Sequence, residues 1–167
     1  MEKVRITFED GRVINLELYP EKAPISVENF LKYVDEGFYD GTCFHRVIPS
    51  FMIQGGGFEW KGGLDHKDGR APIKGEFIMN GVDNDLHHAP GVISMARTMF
   101  KDSATSQFFI CVEDVGYLDG QYAAFGKVSD EESLQVAIDI SEVKTTNWNG
   151  YGDVPVQPIV IKSVRRI

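Results

Sequence analysis

Short segments in which apolar and polar residues alternate recur along this chain, and they restrict its fold more than any other feature. Apolar residues occupy every second position in 4–8 and again in 14–18, with Asp10-Gly11 between the two segments. Alternation with period two is typical of a strand that buries one face, and an Asp-Gly pair between two such strands favours a tight turn. The pattern predicts an antiparallel hairpin over residues 3–19.

Further strands are expected where short apolar segments lie between turn residues. The segments are 42–48, 51–55, 92–96, 107–112 and 123–128, and a closing strand is expected around 159–164. Three stretches show little periodicity and many glycine or polar residues, which is typical of surface loops. These predicted loops are 56–75, 80–91 and 141–155.

Two segments carry the signals of a helix. Pro24 suits a first helical turn, and Gly37 suits the left-handed residue after a helix end, so a helix is predicted over about 24–36. Its apolar residues recur on one face, at Val27, Phe30, Leu31 and Val34. Ser129 or Asp130 is the expected cap of a second helix, in which acidic residues occupy the first turn.

Seven or eight mostly antiparallel strands and two helices describe a mainly β protein. The strands do not alternate with helices, which argues against a parallel nucleotide-binding sheet. Eight strands without obvious edge protection favour a closed antiparallel β-barrel, with the two helices covering its open ends. The length of 167 residues suits one domain, and no linker or repeat divides residues 1–167.

The charge and the sequence of the chain argue against several classes of partner. The formal net charge is −8 and no dense run of Lys and Arg is present, so neither nucleic acid nor an anionic membrane is expected to bind. No apolar stretch approaches the ~20 residues of a membrane span, and the first residues do not resemble a secretory signal. Cys43 and Cys111 lie in apolar surroundings, as expected of reduced, buried thiols. We expect a cytoplasmic, monomeric protein.

The stretch from Phe44 to Phe58 combines residue types that a plain core strand does not combine. Most of its first eleven residues are apolar, yet Arg46 and Gln54 lie among them. A guanidinium in an apolar segment is costly unless it is paired or lies at a wet edge. Arg46 is therefore either a structural residue at the edge of the core or a functional cation.

Other chemistries have weaker signals. The histidines His45, His66, His87 and His88 lack a metal-binding spacing, and no metal is expected. The glycine-rich runs at 55–57 and 62–63 match no phosphate-binding motif, so tight turning is the favoured interpretation. Cys43 and His45 lie two apart on one strand, a pair that is more typical of packing than of a nucleophile.

An apolar groove that contains one cation is a further possibility. Phe51, Met52, Phe109, Leu118 and Tyr122 lie near polar or turn residues. Phe109 follows another phenylalanine on a strand, so one of the two rings faces the core and the other faces outward. An outward Phe near Met and Arg suits a peptide-binding groove, although composition alone is also consistent with all of these residues lying in the core.

Four motifs in this order identify a family resemblance. They are Phe44-His45-Arg46-Val47-Ile48-Pro49 with Phe51-Met52-Ile53-Gln54-Gly55-Gly56; Gly91-Val92-Ile93-Ser94-Met95-Ala96; Ser106-Gln107-Phe108-Phe109-Ile110; and Leu118-Asp119-Gly120 leading to Phe125-Gly126-Lys127-Val128. Together they resemble the signature of the cyclophilin family of peptidyl-prolyl cis–trans isomerases. The resemblance covers essentially the whole chain and implies an eight-stranded antiparallel barrel with a helix at each end.

The resemblance also implies a site and a set of partners. Arg46 would be the catalytic residue, and the substrate-binding positions would be His45, Phe51, Met52, Gln54, Ala96, Gln107, Phe109, Tyr117, Leu118 and Tyr122. Substrates would be proline-containing peptides and folding proteins, with no cofactor. Tyr117 replaces the tryptophan of many relatives and removes an indole N–H donor, so weakened cyclosporin binding is expected.

Two competing hypotheses come from other classes of protein. The first is a peptide-binding module with incidental isomerase activity, but a pure binder has no need of a cation directed at an amide nitrogen. A small-ligand β-barrel requires an open interior, whereas the many large apolar residues here predict a filled one.

Overall fold

A computed structural model describes all residues, 1–167, as eleven strands and two α-helices. The strands are β1 (Glu2–Phe8), β2 (Val13–Leu18), β3 (Thr42–Ile48), β4 (Met52–Trp60), β5 (Leu64–His66), β6 (Val92–Met95), β7 (Phe108–Cys111), β8 (Ala124–Val128), β9 (Thr145–Trp148), β10 (Tyr151–Pro155) and β11 (Ile161–Arg166). The helices are α1 (Pro24–Asp35) and α2 (Glu131–Ser141), and short 3₁₀ turns lie at Ile78–Asn80 and Gly116–Leu118.

Eight of the strands form a nearly closed antiparallel barrel, which confirms the predicted fold class. Their order is β11-β1-β2-β8-β6-β7-β4-β3, and β5 extends β4 on one side. The two end strands, β3 and β11, approach each other and nearly close the barrel. Cys43 in β3 forms a bridge with Val160, just before β11, and the Phe44 N–H donates to the Ile159 carbonyl at 3.0 Å. The predicted hairpin is present, with Val4 opposite Leu16 in β1 and β2.

The barrel interior is filled with side chains. The register places Val47, Ile53 and Ile110 opposite one another across β3, β4 and β7, and all three belong to a cluster of 30 buried residues. Aromatic rings fill the centre of this cluster, where Phe108 contacts Phe30 and Phe44 edge-on. A filled interior leaves no room for a ligand and contradicts the small-ligand barrel hypothesis.

The two helices are stabilised at their N-termini in different ways. In α2, Asp130 accepts a hydrogen bond from the Ser133 N–H at 2.7 Å, the local cap that the sequence suggests. Helix α1 has no side-chain cap of its own. Its first N–H groups donate to the carboxylate of Glu76, from Ser26 at 2.6 Å and from Ile25 at 3.1 Å. A buried carboxylate from a distant loop therefore occupies the positive end of this helix.

Two of the predicted loops contain strands. Strand β4 continues to Trp60 and pairs with β5, inside the stretch predicted as a loop over 56–75. Strands β9 and β10 form a hairpin within the stretch predicted as a loop over 141–155. Neither region alternates in hydrophobicity, since the first is rich in glycine and the second is largely solvent-exposed on both faces. Such strands lack the period-two alternation by which a strand is recognised in a sequence.

Candidate active site

The register of three strands brings the polar residues of the Phe44–Phe58 stretch onto the outer face of the barrel. Arg46 on β3 lies opposite Gln54 on β4, and Gln54 lies opposite Phe109 on β7. Directly opposed residues in an antiparallel sheet point to the same face. Because the neighbouring row of Val47 and Ile53 faces the core, Arg46, Gln54 and Phe109 all face outward.

A chain of hydrogen bonds holds the Arg46 guanidinium. Its Nη1 donates to Gln54 Oε1 at 3.2 Å, and Gln54 Nε2 donates to Gln107 Oε1 at 3.0 Å. A guanidinium only donates, so it requires the oxygen of the Gln54 amide, and Gln107 accepts from the nitrogen of that same amide. Gln107 itself fits because residue 57 is glycine: a Cβ at this position would lie 2.5 Å from the Gln107 side chain.

Beside this polar row lies a second, smaller apolar cluster that is separate from the barrel core. Its buried members are Met52, Phe109, Cys111 and Val115, and Ile48, Phe51, Ala96, Leu118 and Tyr122 pack against them. The Phe109 and Tyr122 rings meet edge to face with centroids 5.7 Å apart. Six residues of this cluster line a surface cleft of about 170 Å³, which Arg46 and Gln54 also line. The arrangement suits a small apolar group next to a polar one.

Most of the predicted site residues line this cleft. They are Arg46, Phe51, Met52, Gln54, Ala96, Phe109, Leu118 and Tyr122. Gln107 lines a second, adjoining pocket of about 150 Å³, which it shares with Gln54 and Ala96. Tyr117 lies on the rim, where it is 67% exposed and its ring stacks on Phe51 at a centroid distance of 6.4 Å.

The structure does not bring His45 into the cleft. Its ring packs against Phe58, with centroids 4.5 Å apart, and its buried Nδ1 has no hydrogen-bond partner. The register between β3 and β4 shifts between Phe44 and Arg46, so His45 falls outside the row that contains Arg46. Burial, aided by the nearby Arg46 charge, lowers the pKa of His45 to about 4, so the ring is neutral at pH 7.

Arg97 lines both the cleft and the second pocket, although no sequence motif predicts it as a site residue. Its guanidinium lies over the rings of Phe77 and Tyr122, at 4.9 and 4.7 Å from their centroids, and donates to the Gln121 carbonyl. These contacts hold the cation against the wall that Tyr122 forms. Its place directly after the motif ending at Ala96 is the one sequence signal that was available.

The two thiols and the possible metal ligands are the remaining reactive groups of the chain. Cys43 and Cys111 are both buried, and burial raises the pKa of each thiol to about 12, so neither is a thiolate at neutral pH. No three His, Cys, Asp or Glu side chains are grouped so that they could hold a metal ion. Neither helix has the length and apolar character needed to cross a membrane.

Comparison with known proteins agrees with this geometry. The sequence model of the "Cyclophilin type peptidyl-prolyl cis-trans isomerase/CLD" family matches residues 3–166. The chain is 52% identical over 159 residues to peptidyl-prolyl cis-trans isomerase A of Dickeya dadantii. This match covers 92% of the chain and 79% of that protein. The chain is 44% identical over 173 residues to a peptidyl-prolyl cis-trans isomerase of Streptomyces antibioticus, with 99% and 98% of the two chains covered.

Solved structures give the same result. A Cryptosporidium parvum cyclophilin-type isomerase, crystallised in the presence of the dipeptide Ala-Pro, superimposes with a TM-score of 0.80 at 27% identity, covering 99% of both chains. The family match spans nearly the whole chain, and the relatives agree in sequence and in fold. The chain belongs to the cyclophilin family of peptidyl-prolyl cis–trans isomerases.

Proposed function

We propose that this protein catalyses cis–trans isomerisation of X–Pro peptide bonds, with Arg46 as the catalytic residue and the apolar cleft as the binding site for the proline ring. The observation that carries the proposal is the position of one guanidinium, fixed by Gln54, at the edge of an apolar cleft. The presence of Ala-Pro in the crystals of the Cryptosporidium relative is consistent with a proline-containing substrate.

The reaction needs neither a nucleophile nor a metal, since no covalent bond is made or broken. Rotation about the amide faces a barrier of ~18–20 kcal/mol, because the partial double bond is lost in the twisted state. In that state the proline nitrogen becomes pyramidal and its lone pair becomes available to accept a hydrogen bond. A donor directed at this nitrogen binds the twisted amide more tightly than either planar form, which is the condition for catalysis. Arg46 is permanently charged and has five N–H donors. Gln54 is the one side chain that accepts from it, and it engages a single donor.

The apolar cleft supplies a second contribution. Phe109 and Met52 are almost fully buried at its floor, and Leu118 and Tyr122 form its walls. Shortening a ~100 s process to about a millisecond requires ~10⁵-fold acceleration, or ~7 kcal/mol. One charge-assisted hydrogen bond contributes ~1.5–3 kcal/mol. The remainder is assigned to holding the proline ring still while the preceding carbonyl rotates, and to the exclusion of water around Arg46.

The second pocket adjoins the proline cleft and provides room for the substrate residues that precede the proline. Its lining runs from Ala96 to Gln107 and includes Thr98, Ser103 and Thr105, in a segment that lies between β6 and β7. We assign this segment to backbone pairing with the residues that precede the proline, in the manner of an added strand. Folding proteins with exposed prolines are the substrates proposed, and monomeric action in the cytoplasm stays a prediction from the sequence.

The test is an isomerase assay by NMR exchange on an Ala-Pro peptide, which needs no coupled protease. Arg46→Ala is expected to lower kcat/KM by at least ~10-fold while the folded NMR spectrum is retained. Arg12→Ala is the matched control, because Arg12 pairs with Asp10 in the turn between β1 and β2, outside the cleft. Near wild-type activity of the Arg46 variant would contradict the assigned role. Peptide binding by a wild type that has no isomerase activity would favour a peptide-binding module instead.

A further inference from the structure

A histidine outside the cleft bridges two aspartates that flank part of its wall. His87 lies in the loop before β6, and its two ring nitrogens contact different carboxylates. Nδ1 lies 2.5 Å from Asp119 Oδ2, and Nε2 lies 2.7 Å from Asp114 Oδ2. The His87 side chain is half exposed, so water reaches this bridge.

Both contacts exist together only when the ring is charged. A carboxylate accepts hydrogen bonds and does not donate them, and a neutral imidazole carries a single N–H. The bridge therefore requires the imidazolium, with one N–H directed at each aspartate. The groups that face His87 are Asp119 and Asp114 from the segment after β7, and His88 from its own loop. Asp119 and then Asp114 raise the pKa of His87 to about 9, so the ring is charged at pH 7.

The two aspartates lie on either side of the 3₁₀ turn Gly116–Leu118. Asp114 also accepts from the Gly116 N–H at 3.1 Å, so it is fastened to the start of the turn. Asp119 follows the end of the turn directly. Leu118 lines the proline cleft from this turn. A bond from one imidazolium to both aspartates holds the two ends of the turn, and with them the wall of the cleft.

The second oxygen of Asp119 connects the same bridge to the floor of the cleft. It accepts from the His88 N–H at 2.7 Å and lies 2.8 Å from His88 Nδ1. The His88 ring is buried and stacks on Phe109, with an interplanar angle of 15° and centroids 6.1 Å apart. Burial lowers the pKa of His88 and so favours its neutral ring, in contrast to His87. Asp119 thus fixes both the Leu118 turn and the ring that supports Phe109.

We propose that His87 is a positioning residue that keeps the cleft in its substrate-binding shape by joining Asp114 to Asp119. The inference rests on the proposed isomerase function and adds a pH range to it. The bridge is complete at pH 7 and is lost as the pH rises through the folded His87 pKa of about 9. On deprotonation one carboxylate loses its donor, and the turn that carries Leu118 is held at one end only.

The first test is the pH dependence of KM and kcat between pH 7 and 10, measured on an Ala-Pro peptide. In the wild type, KM is expected to rise two- to fivefold, about the effect of one exposed ion pair, with a midpoint near the His87 pKa of about 9. His87→Gln is expected to have the raised KM already at pH 7 and a flat profile above it. His66→Gln is the matched control, because exposed His66 is the last residue of β5 and pairs with Asp68 outside the cleft.

The second test does not depend on activity. In methyl NMR, the Leu118 signals are expected to move with the same midpoint as the His87 ring, and Asp114→Asn is expected to shift that midpoint to lower pH. Leu118 signals that stay fixed through the His87 titration, or a His87→Gln profile identical to wild type, overturn the proposal. A wild type without isomerase activity but with coupled Leu118 and His87 titrations refutes the proposed function and retains the positioning role.

Discussion

Replacing Gln54 by alanine tests whether the guanidinium must be held in place to catalyse rotation. Gln54 accepts from Arg46 Nη1 at 3.2 Å and is itself oriented by Gln107 at 3.0 Å. Without Gln54 the arginine side chain regains rotamer freedom and its direction toward the cleft is no longer fixed. We expect kcat/KM to fall, with little change in stability, because Gln54 is only partly buried.

The size of the effect follows from the bond that is lost. A hydrogen bond to a charged group contributes ~1.5–3 kcal/mol. A separation of 3.2 Å is long for such a bond, so the lower end of the range applies. At ~1.4 kcal/mol per decade, the expected loss in kcat/KM is about tenfold.

A double-mutant cycle separates this positioning role from a direct contact with substrate. If Gln54 acts through Arg46, Gln54→Ala lowers kcat/KM in the wild type but has little further effect in an Arg46→Ala background. Gln135→Ala is the matched control, since Gln135 bonds Asp139 on the exposed face of α2. Equal losses in both backgrounds, measured in the same NMR exchange assay, would refute the argument that Gln54 works by orienting Arg46.

Two further predictions concern the helix cap and drug binding. Glu76→Ala is expected to lower the free energy of unfolding by ~2–3 kcal/mol, because the first N–H groups of α1 lose a buried acceptor; an unchanged urea midpoint would contradict this. Tyr117→Trp is expected to tighten cyclosporin binding in calorimetry, because it places an indole N–H donor on the exposed rim beside Phe51; equal affinities of the two proteins would show that the donor is not needed.

The helices show how far local signals reach. Pro24 and Gly37 were sufficient to place α1 within one residue of its observed end, and Gly37 has the expected positive φ of 70°. Asp130 caps α2, and it is one of the two cap residues that the local sequence predicts. Glu76, by contrast, lies about 50 residues from the N–H groups that it accepts from, and no local pattern connects it to α1. A cap supplied across the tertiary structure is outside the reach of local rules.

In the glycine-rich segment, the local pattern predicts the wrong structure. The sequence pattern favours tight turning at residues 55–57, yet they lie within β4. Their glycines are needed for close packing: a Cβ on Gly56 would lie 2.9 Å from the rings of Phe108 and Tyr39. Glycine in a strand often marks a close approach of this kind, but which rings approach depends on the closed barrel.

The sequence by itself determined the barrel, the two helices and most of the residues that line the cleft, because alternation, caps and ordered motifs are local and specific. It left open whether Arg46 and Gln54 reach one surface. The tertiary structure decided this through the β3–β4 register, which aligns Arg46 with Gln54 and leaves His45 outside the row. It also brought Arg97 and the His87 bridge next to the cleft, since contacts between distant loops depend on how the barrel closes rather than on any local pattern.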